Sequence, residues 1–173
     1  ALARQVLRTN STVIAALMVR KGLADAMICG TVGQYHQHLK DVVDVVGIKS
    51  GIISPAALSV LILPNGVFFI ADTYVNPEPS AAEITQMTVL AADAVRRFGI
   101  EPKAALLSHS SFGTHDDASA RKMREALAAL RNRVPDLEIE GEMQADAALS
   151  EELRDMIFPR SRLKGQANLL IMP

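Results

Sequence analysis

Between Ser108 and Thr114 the sequence reads SHSSFGT. Ser108, His109, Ser110, Ser111, Gly113 and Thr114 crowd small hydroxyls, an imidazole and a flexible backbone into one turn of chain. They directly follow Ala104–Leu107, an uninterrupted apolar run of the kind that forms a buried strand. In open α/β sheets ligands lie just beyond the carboxyl ends of strands, where backbone N–H groups and short hydroxyls converge on an anion. Gly113 would let the backbone approach such a ligand closely. The plain alternative is a polar turn whose groups satisfy one another. Asp116 and Asp117 follow, so the stretch also holds the residue types of a Ser-His-Asp hydrolase. That chemistry is disfavoured, because neighbouring residues on a strand face opposite ways and no G-x-S-x-G elbow is present. No catalytic residue is assigned.

The other candidates are less specific. His36 and His38 stand two apart in a helical pattern, so they project on different sides and cannot chelate together. His109, His115, Asp116 and Asp117 could gather on a loop, but no second cluster has ligand spacing, and no metal site is assigned. Gly30–Gly33 (GTVG) lacks both the dinucleotide fingerprint and the Walker Lys-Ser/Thr pair, and reads as a turn with Thr31 as a helix cap. Arg121–Lys122–Arg124 and Arg160–Arg162–Lys164 are basic clusters of the kind that form solvated faces, although either could meet a phosphorylated ligand.

The elements that must position these residues follow from periodicity. Ser11 or Thr12 caps a helix that ends near Gly22. Ala24–Cys29 reads as a short strand, and Thr31 opens an amphipathic helix through Val46. Ile52–Leu63 and Val67–Asp72 are β-rich runs joined by Pro64-Asn65-Gly66, a hairpin signature. Ser80-x-x-Glu83 is a capping box opening a helix with Ile84, Met87, Ala91 and Val95 on one face. A helix carrying Met123, Leu127, Leu130 and Val134 stops at Pro135. Leu137–Glu142 reads as a strand, Ala147–Ile157 as a helix and Ala167–Met172 as the final strand. This alternation predicts an α/β layered fold with a mostly parallel sheet and one antiparallel hairpin.

The 173 residues suffice for one sizeable domain. No linker or repeat interrupts them, so one domain is the simplest expectation. Nearly half the residues are apolar, with no Trp, so the core must be aliphatic. A net charge of −1 gives no electrostatic case for nucleic acid. A single cysteine, Cys29, excludes an internal disulfide framework. No apolar run is long enough for a bilayer and no signal-peptide layout opens the chain, which points away from a membrane and to the cytoplasm. The start at Ala1 and the apolar finish NLLIMP suggest a piece of a longer polypeptide.

ALMVRKGLADAMICG, the Asp72–Pro79 exit from the hairpin, FGIEPKAALLSHS, RVPDLEIEGEMQADAAL and SRLKGQANLLIMP together resemble the phosphate acetyltransferase/butyryltransferase family, in order and across the whole chain. RTNSTVIAALMV, GQYHQHLKDVV, LLSHSSFGT and SARKMREAL are similar to one branch, the C-terminal phosphotransacetylase-like domain of bacterial NADP-dependent malic enzymes. The resemblance implies an isocitrate/isopropylmalate dehydrogenase-like fold, of which residues 1–173 would supply mainly the inserted lobe. It implies acetyl-CoA, or a related acyl-CoA, as effector, with no cofactor held in this stretch. NADP and a divalent metal would serve malate oxidation in N-terminal domains of the same polypeptide. It also implies a homo-oligomer. The transferases' catalytic Ser-Arg and Asp would fall after Pro173, so transfer of acetyl between acetyl phosphate and CoA is not expected of these residues alone. Arg8, ahead of the A-L-M stretch, matches a transferase arginine and joins Ser108, His109, Ser110, Ser111, Gly113 and Thr114 as a candidate ligand contact. A fragment of a true phosphate acetyltransferase is the rival reading, and a ligand-free assembly domain a third.

Overall fold

The structure, a computed structural model, describes residues 2–173. The chain forms two compact units, divided between Ile52 and Ile53.

The first unit holds three helices, α1 (Leu2–Thr9), α2 (Ser11–Arg20) and α3 (Tyr35–Val46). The predicted α2 forms, but its cap is Asn10 rather than Ser11 or Thr12. Asn10 Oδ1 accepts from the Val13 N–H at 3.1 Å, and Asn10 Nδ2 donates to Asp41 on α3 at 2.8 Å. One residue thus both starts a helix and docks its neighbour. Thr12 Oγ1 and His38 Nδ1 lie 2.8 Å apart, and His38 Nε2 is 2.9 Å from the Val32 carbonyl. His38 is therefore a packing group and His36 stays exposed. The strand expected at Ala24–Cys29 does not form. An apolar run needs a neighbouring strand to satisfy its backbone, and none lies beside this one among the described residues. Thr31 is not the helix cap either. It adopts a positive φ of 70° in the preceding turn, and Gln34 enters the helix without a side-chain cap.

The second unit is a five-stranded sheet in the order β1-β2-β5-β3-β4. Its strands are β1 (Leu58–Leu63), β2 (Gly66–Ala71), β3 (Lys103–Leu107), β4 (Glu138–Met143) and β5 (Leu169–Ile171). β1 and β2 make the predicted antiparallel hairpin, with Leu63 opposite Gly66, while β2–β5, β5–β3 and β3–β4 are parallel. β1 starts at Leu58 rather than Ile52, because Pro55 interrupts the run and can donate no ladder hydrogen bond. β3 is interior, as its apolar sequence predicts, and alternation splits it between two cores. Ala104 and Leu106 face α4 (Ala81–Arg97) and α5 (Ala118–Arg133), together with Phe69, Ile84, Met123 and Leu130. Ala105 and Leu107 face Met143, Ala147, Leu163 and Leu170. The Ser80–Glu83 capping box is complete, with Ser80 N–H donating to Glu83 at 2.8 Å.

The single helix expected over Ala147–Ile157 is two, α6 (Ala145–Leu149) and α7 (Glu151–Ile157). Ser150 is extended and caps α7 by accepting from the Leu153 N–H, as Ser side chains do when they compete for backbone donors. No helix among the described residues is long and apolar enough to cross a membrane.

Candidate functional site

The loop Ser108–Asp117 leaves the carboxyl end of β3 and ends as the cap of α5. It is built against the end of β4, almost residue by residue. Ser108 N–H donates to the Met143 carbonyl (2.9 Å) and Phe112 N–H to the Glu142 carbonyl (2.8 Å). Gln144 donates twice, from Nε2 to the His109 carbonyl (2.8 Å) and from its N–H to Ser111 Oγ (3.2 Å). Gly141 allows the two strands to lie this close, since a Cβ there would stand 2.7 Å from Leu106 Cβ and 2.8 Å from the Leu106 carbonyl oxygen.

Within the loop the short side chains serve the backbone. Ser108 Oγ accepts from Ser110 N–H (3.1 Å), Thr114 Oγ1 from Ser111 N–H (3.0 Å) and Ser110 Oγ from His115 N–H (3.1 Å). Ser110 is fully buried, and its hydroxyl donates to Glu142 Oε1 at 2.8 Å. The same oxygen accepts from Gly113 N–H (2.9 Å) and from Arg124 Nη1 (3.0 Å). Arg124 Nη2 reaches on to Asp116 at 2.6 Å. A buried carboxylate supplied by β4 therefore sits at the centre of the polar loop.

The outward side carries His109, Gly113 and Thr114, which are exposed, and Ser108 and Ser111, which are half-buried. His109 Nε2 lies 2.6 Å from Asp117 Oδ2, while Asp117 Oδ1 caps α5 by accepting from Ala120 N–H at 2.9 Å. The Ala120 N–H, aided by the adjacent imidazole, holds the Asp117 carboxyl below its ordinary range. The His115 ring is 5.6 Å from that of His109. No serine hydroxyl bonds to the His109 ring among the described residues, so no Ser-His-Asp relay is assembled. Nor do three His, Cys, Asp or Glu side chains among them gather as a metal would require. Arg8 lies exposed in the last turn of α1, in the first unit, whereas the loop belongs to the second.

Sequence reasoning located the loop and missed what anchors it. Glu138, Glu140 and Glu142 alternate along β4, a signal of one polar strand face. Glu140 is buried and bonded to Arg131 Nη2 (2.7 Å) and to the Arg162 N–H (3.0 Å), and Glu138 accepts from the Lys164 N–H. The second basic cluster thus contributes backbone donors to these acids.

A model of the family described as "Phosphate acetyl/butaryl transferase" matches residues 1–173. The chain belongs to that family. Two malic enzymes and one solved phosphotransacetylase are similar to this chain. It is 55% identical over 171 residues to the NADP-dependent malic enzyme of Escherichia coli (strain K12), covering 99% of this chain and 22% of that one. It is 54% identical, with the same coverage, to the NAD-dependent malic enzyme of Rhizobium meliloti (strain 1021). The chain thus spans about a fifth of the length of these relatives, in which it corresponds to the C-terminal phosphotransacetylase-like part. A crystal structure of a phosphotransacetylase from Streptococcus pyogenes superimposes with a TM-score of 0.89 at 30% identity, over 99% of this chain and 52% of the other.

Proposed function

We propose that this chain is the acyl-CoA-sensing and self-associating part of a malic enzyme, whose oxidative decarboxylation of malate to pyruvate is carried out elsewhere in the polypeptide. The observation that carries this reading is identity above one half to malic enzymes across nearly the whole chain. The site geometry supports a binding role over a catalytic one. The hydroxyls of Ser110 and Thr114 and the N–H groups of residues 110–115 already have internal partners, so the loop is a rigid surface rather than a set of poised nucleophiles. Acetyl-CoA is the effector expected, its phosphate or pantetheine end meeting the outward side of the loop at Ser108, His109, Ser111, Gly113 and Thr114. Ser110 supports that surface from within, and Arg8, carried by the first unit, is a separate candidate for a charge-assisted contact with the same effector. NADP and a divalent metal belong to the malate-oxidising part. The setting expected for such an enzyme is the cytoplasm.

A calorimetric titration with acetyl-CoA tests the site. A charge-assisted hydrogen bond contributes about 1.5–3 kcal/mol, so Arg8→Ala should weaken binding roughly 10- to 150-fold. His109→Ala should weaken it as well. Equal affinities in all three proteins would remove the site from this loop. Family membership and the Streptococcus structure favour a second reading, phosphate acetyltransferase. Acetyl-CoA formed from acetyl phosphate and CoA faster than in buffer would establish it.

Self-association rests on exposed apolar side chains within each unit. Ile28 and Val32 in the first unit are 99% and 81% exposed, and Ile62 on edge strand β1 is 81% exposed. Surface of this kind marks interfaces. Sedimentation at micromolar concentration should show a dimer or larger species, and a clean monomer would contradict it.

A further inference from the structure

The polar loop has the form of an oxyanion cradle, yet the oxyanion in it is the protein's own. A backbone N–H (Gly113), a hydroxyl (Ser110) and a guanidinium (Arg124) converge on Glu142 Oε1 at 2.9, 2.8 and 3.0 Å. That donor set is the one expected around a bound carboxylate or phosphate. Glu142 itself is only 1% exposed, and its second oxygen, Oε2, is buried without a hydrogen-bond partner. A carboxylate placed merely to balance Arg124 would satisfy both oxygens or leave one in water, because an orphaned buried oxygen costs about 1–3 kcal/mol. Beside it lies a cavity of about 300 Å³ lined by Phe112, Arg124, Leu127 and Glu142 among others. Phe112 and Phe158 stack at its wall, with ring centroids 4.5 Å apart.

We infer that Ser110, Gly113 and Arg124 form a binding site for a small oxyanion, carboxylate or phosphate, which Glu142 occupies as a resident anion. The site is filled in the resting protein. Free phosphate or acetate is excluded from it, and the loop is held in its ligand-facing shape with no external anion. An anionic effector therefore meets only the outward side of the loop. The inference does not depend on acyl-CoA being that effector, since its probes are inorganic phosphate and acetate.

Glu142→Ala empties the site and adds the deleted side chain's volume to the adjoining cavity. The change takes their acceptor from the Ser110 hydroxyl and the Gly113 N–H while Arg124, one-third exposed, keeps Asp116, so the melting temperature should fall by about 2–12 °C. Acetate at 100 mM should then recover about 3–6 °C in this variant, as expected for a dissociation constant on the order of 10 mM. It should do nothing for the parent protein, for Glu142→Gln, which keeps the space filled, or for Glu142→Ala with Arg124→Met. Phosphate in place of acetate shows whether the cradle accepts the larger ion. A Glu142→Ala protein that folds and responds to acetate no more than the parent overturns the inference. The parent protein gives an independent reading should the variant not fold. Its Gly113 and His115 amides should be protected from hydrogen exchange in anion-free buffer, and 50 mM phosphate should leave that protection unchanged. Amides that become protected only when phosphate is added would show an empty site and overturn it equally.

Discussion

Arg154→Ala should cost about 3–5 kcal/mol of folding stability, read as a fall of roughly 6–20 °C in melting temperature. Arg154 is completely buried. Its Nη1 donates to the carbonyls of Ala147 (2.9 Å) and Ala148 (3.4 Å), and its Nη2 to those of Leu163 (3.1 Å) and Gly165 (2.6 Å). The first two carbonyls lie near the end of α6, where helix geometry leaves acceptors unsatisfied and where positive charge is favoured. The last two belong to the segment that leads into β5. One guanidinium thus ties α6 to the strand entry at the centre of the sheet. Truncation takes the guanidinium from all four acceptors, of which Ala148 keeps the Ala167 N–H and Leu163 the Ser161 hydroxyl, and it opens a void beside Leu163. Arg154→Lys keeps the charge but loses the planar fork, so it should recover only part of the loss. A loss below about 1 kcal/mol for the alanine variant in urea denaturation would contradict this assignment.

Arg154 also marks a limit of reading the sequence. EELRDMI has an ordinary helical pattern, and an arginine in it is expected on the surface. The carbonyls of α6 and the returning 161–165 segment enclose it, and the periodicity of α7 by itself shows neither. Glu142 is similar: alternation along β4 shows one polar strand face, but not that the loop from β3 wraps it. Elements specified locally were legible. The Ser80–Glu83 box, the Pro64-Asn65-Gly66 turn and the apolar β3 run carry their own instructions in adjacent residues. Ala24–Cys29 has the composition of a strand without the partner strand, and composition cannot supply a partner. For the site, sequence placed Ser108–Thr114 at the end of a buried strand correctly. Which of those groups face outward was decided by Glu142 and Gln144, some thirty residues further along.

Asp72→Asn should destabilise the second unit by about 2–4 kcal/mol at neutral pH. Asp72 follows β2 at the same end of the sheet as Ser108 and is nearly buried. Its Oδ1 accepts from the N–H groups of Ala57, Tyr74 and Val75 at 3.1, 3.1 and 3.2 Å. Its Oδ2 accepts from Asn76 N–H at 2.9 Å and Asn76 Nδ2 at 2.6 Å. Burial alone would raise its pKa, but the N–H groups of Tyr74, Val75 and Ala57 and the Asn76 amide together outweigh it and hold the carboxyl below its ordinary 3.8. Because the folded value is the lower one, the stabilisation is fully present above the unfolded value. It is lost as pH falls through the folded value. An asparagine must turn its amide NH₂ toward donors on one side or the other. The gap between parent and variant should therefore be widest near pH 7 and narrow below about pH 4. Equal stability at pH 7, or a gap that widens in acid, would contradict this role.

The most direct test of the central claim is the rate of malate oxidation by the full-length protein as acetyl-CoA is titrated, for the parent and for Arg8→Ala. The rate in the parent should change saturably, and the midpoint should move roughly 10- to 150-fold higher in the variant. A rate that does not respond to acetyl-CoA, in a protein that oxidises malate, would contradict it.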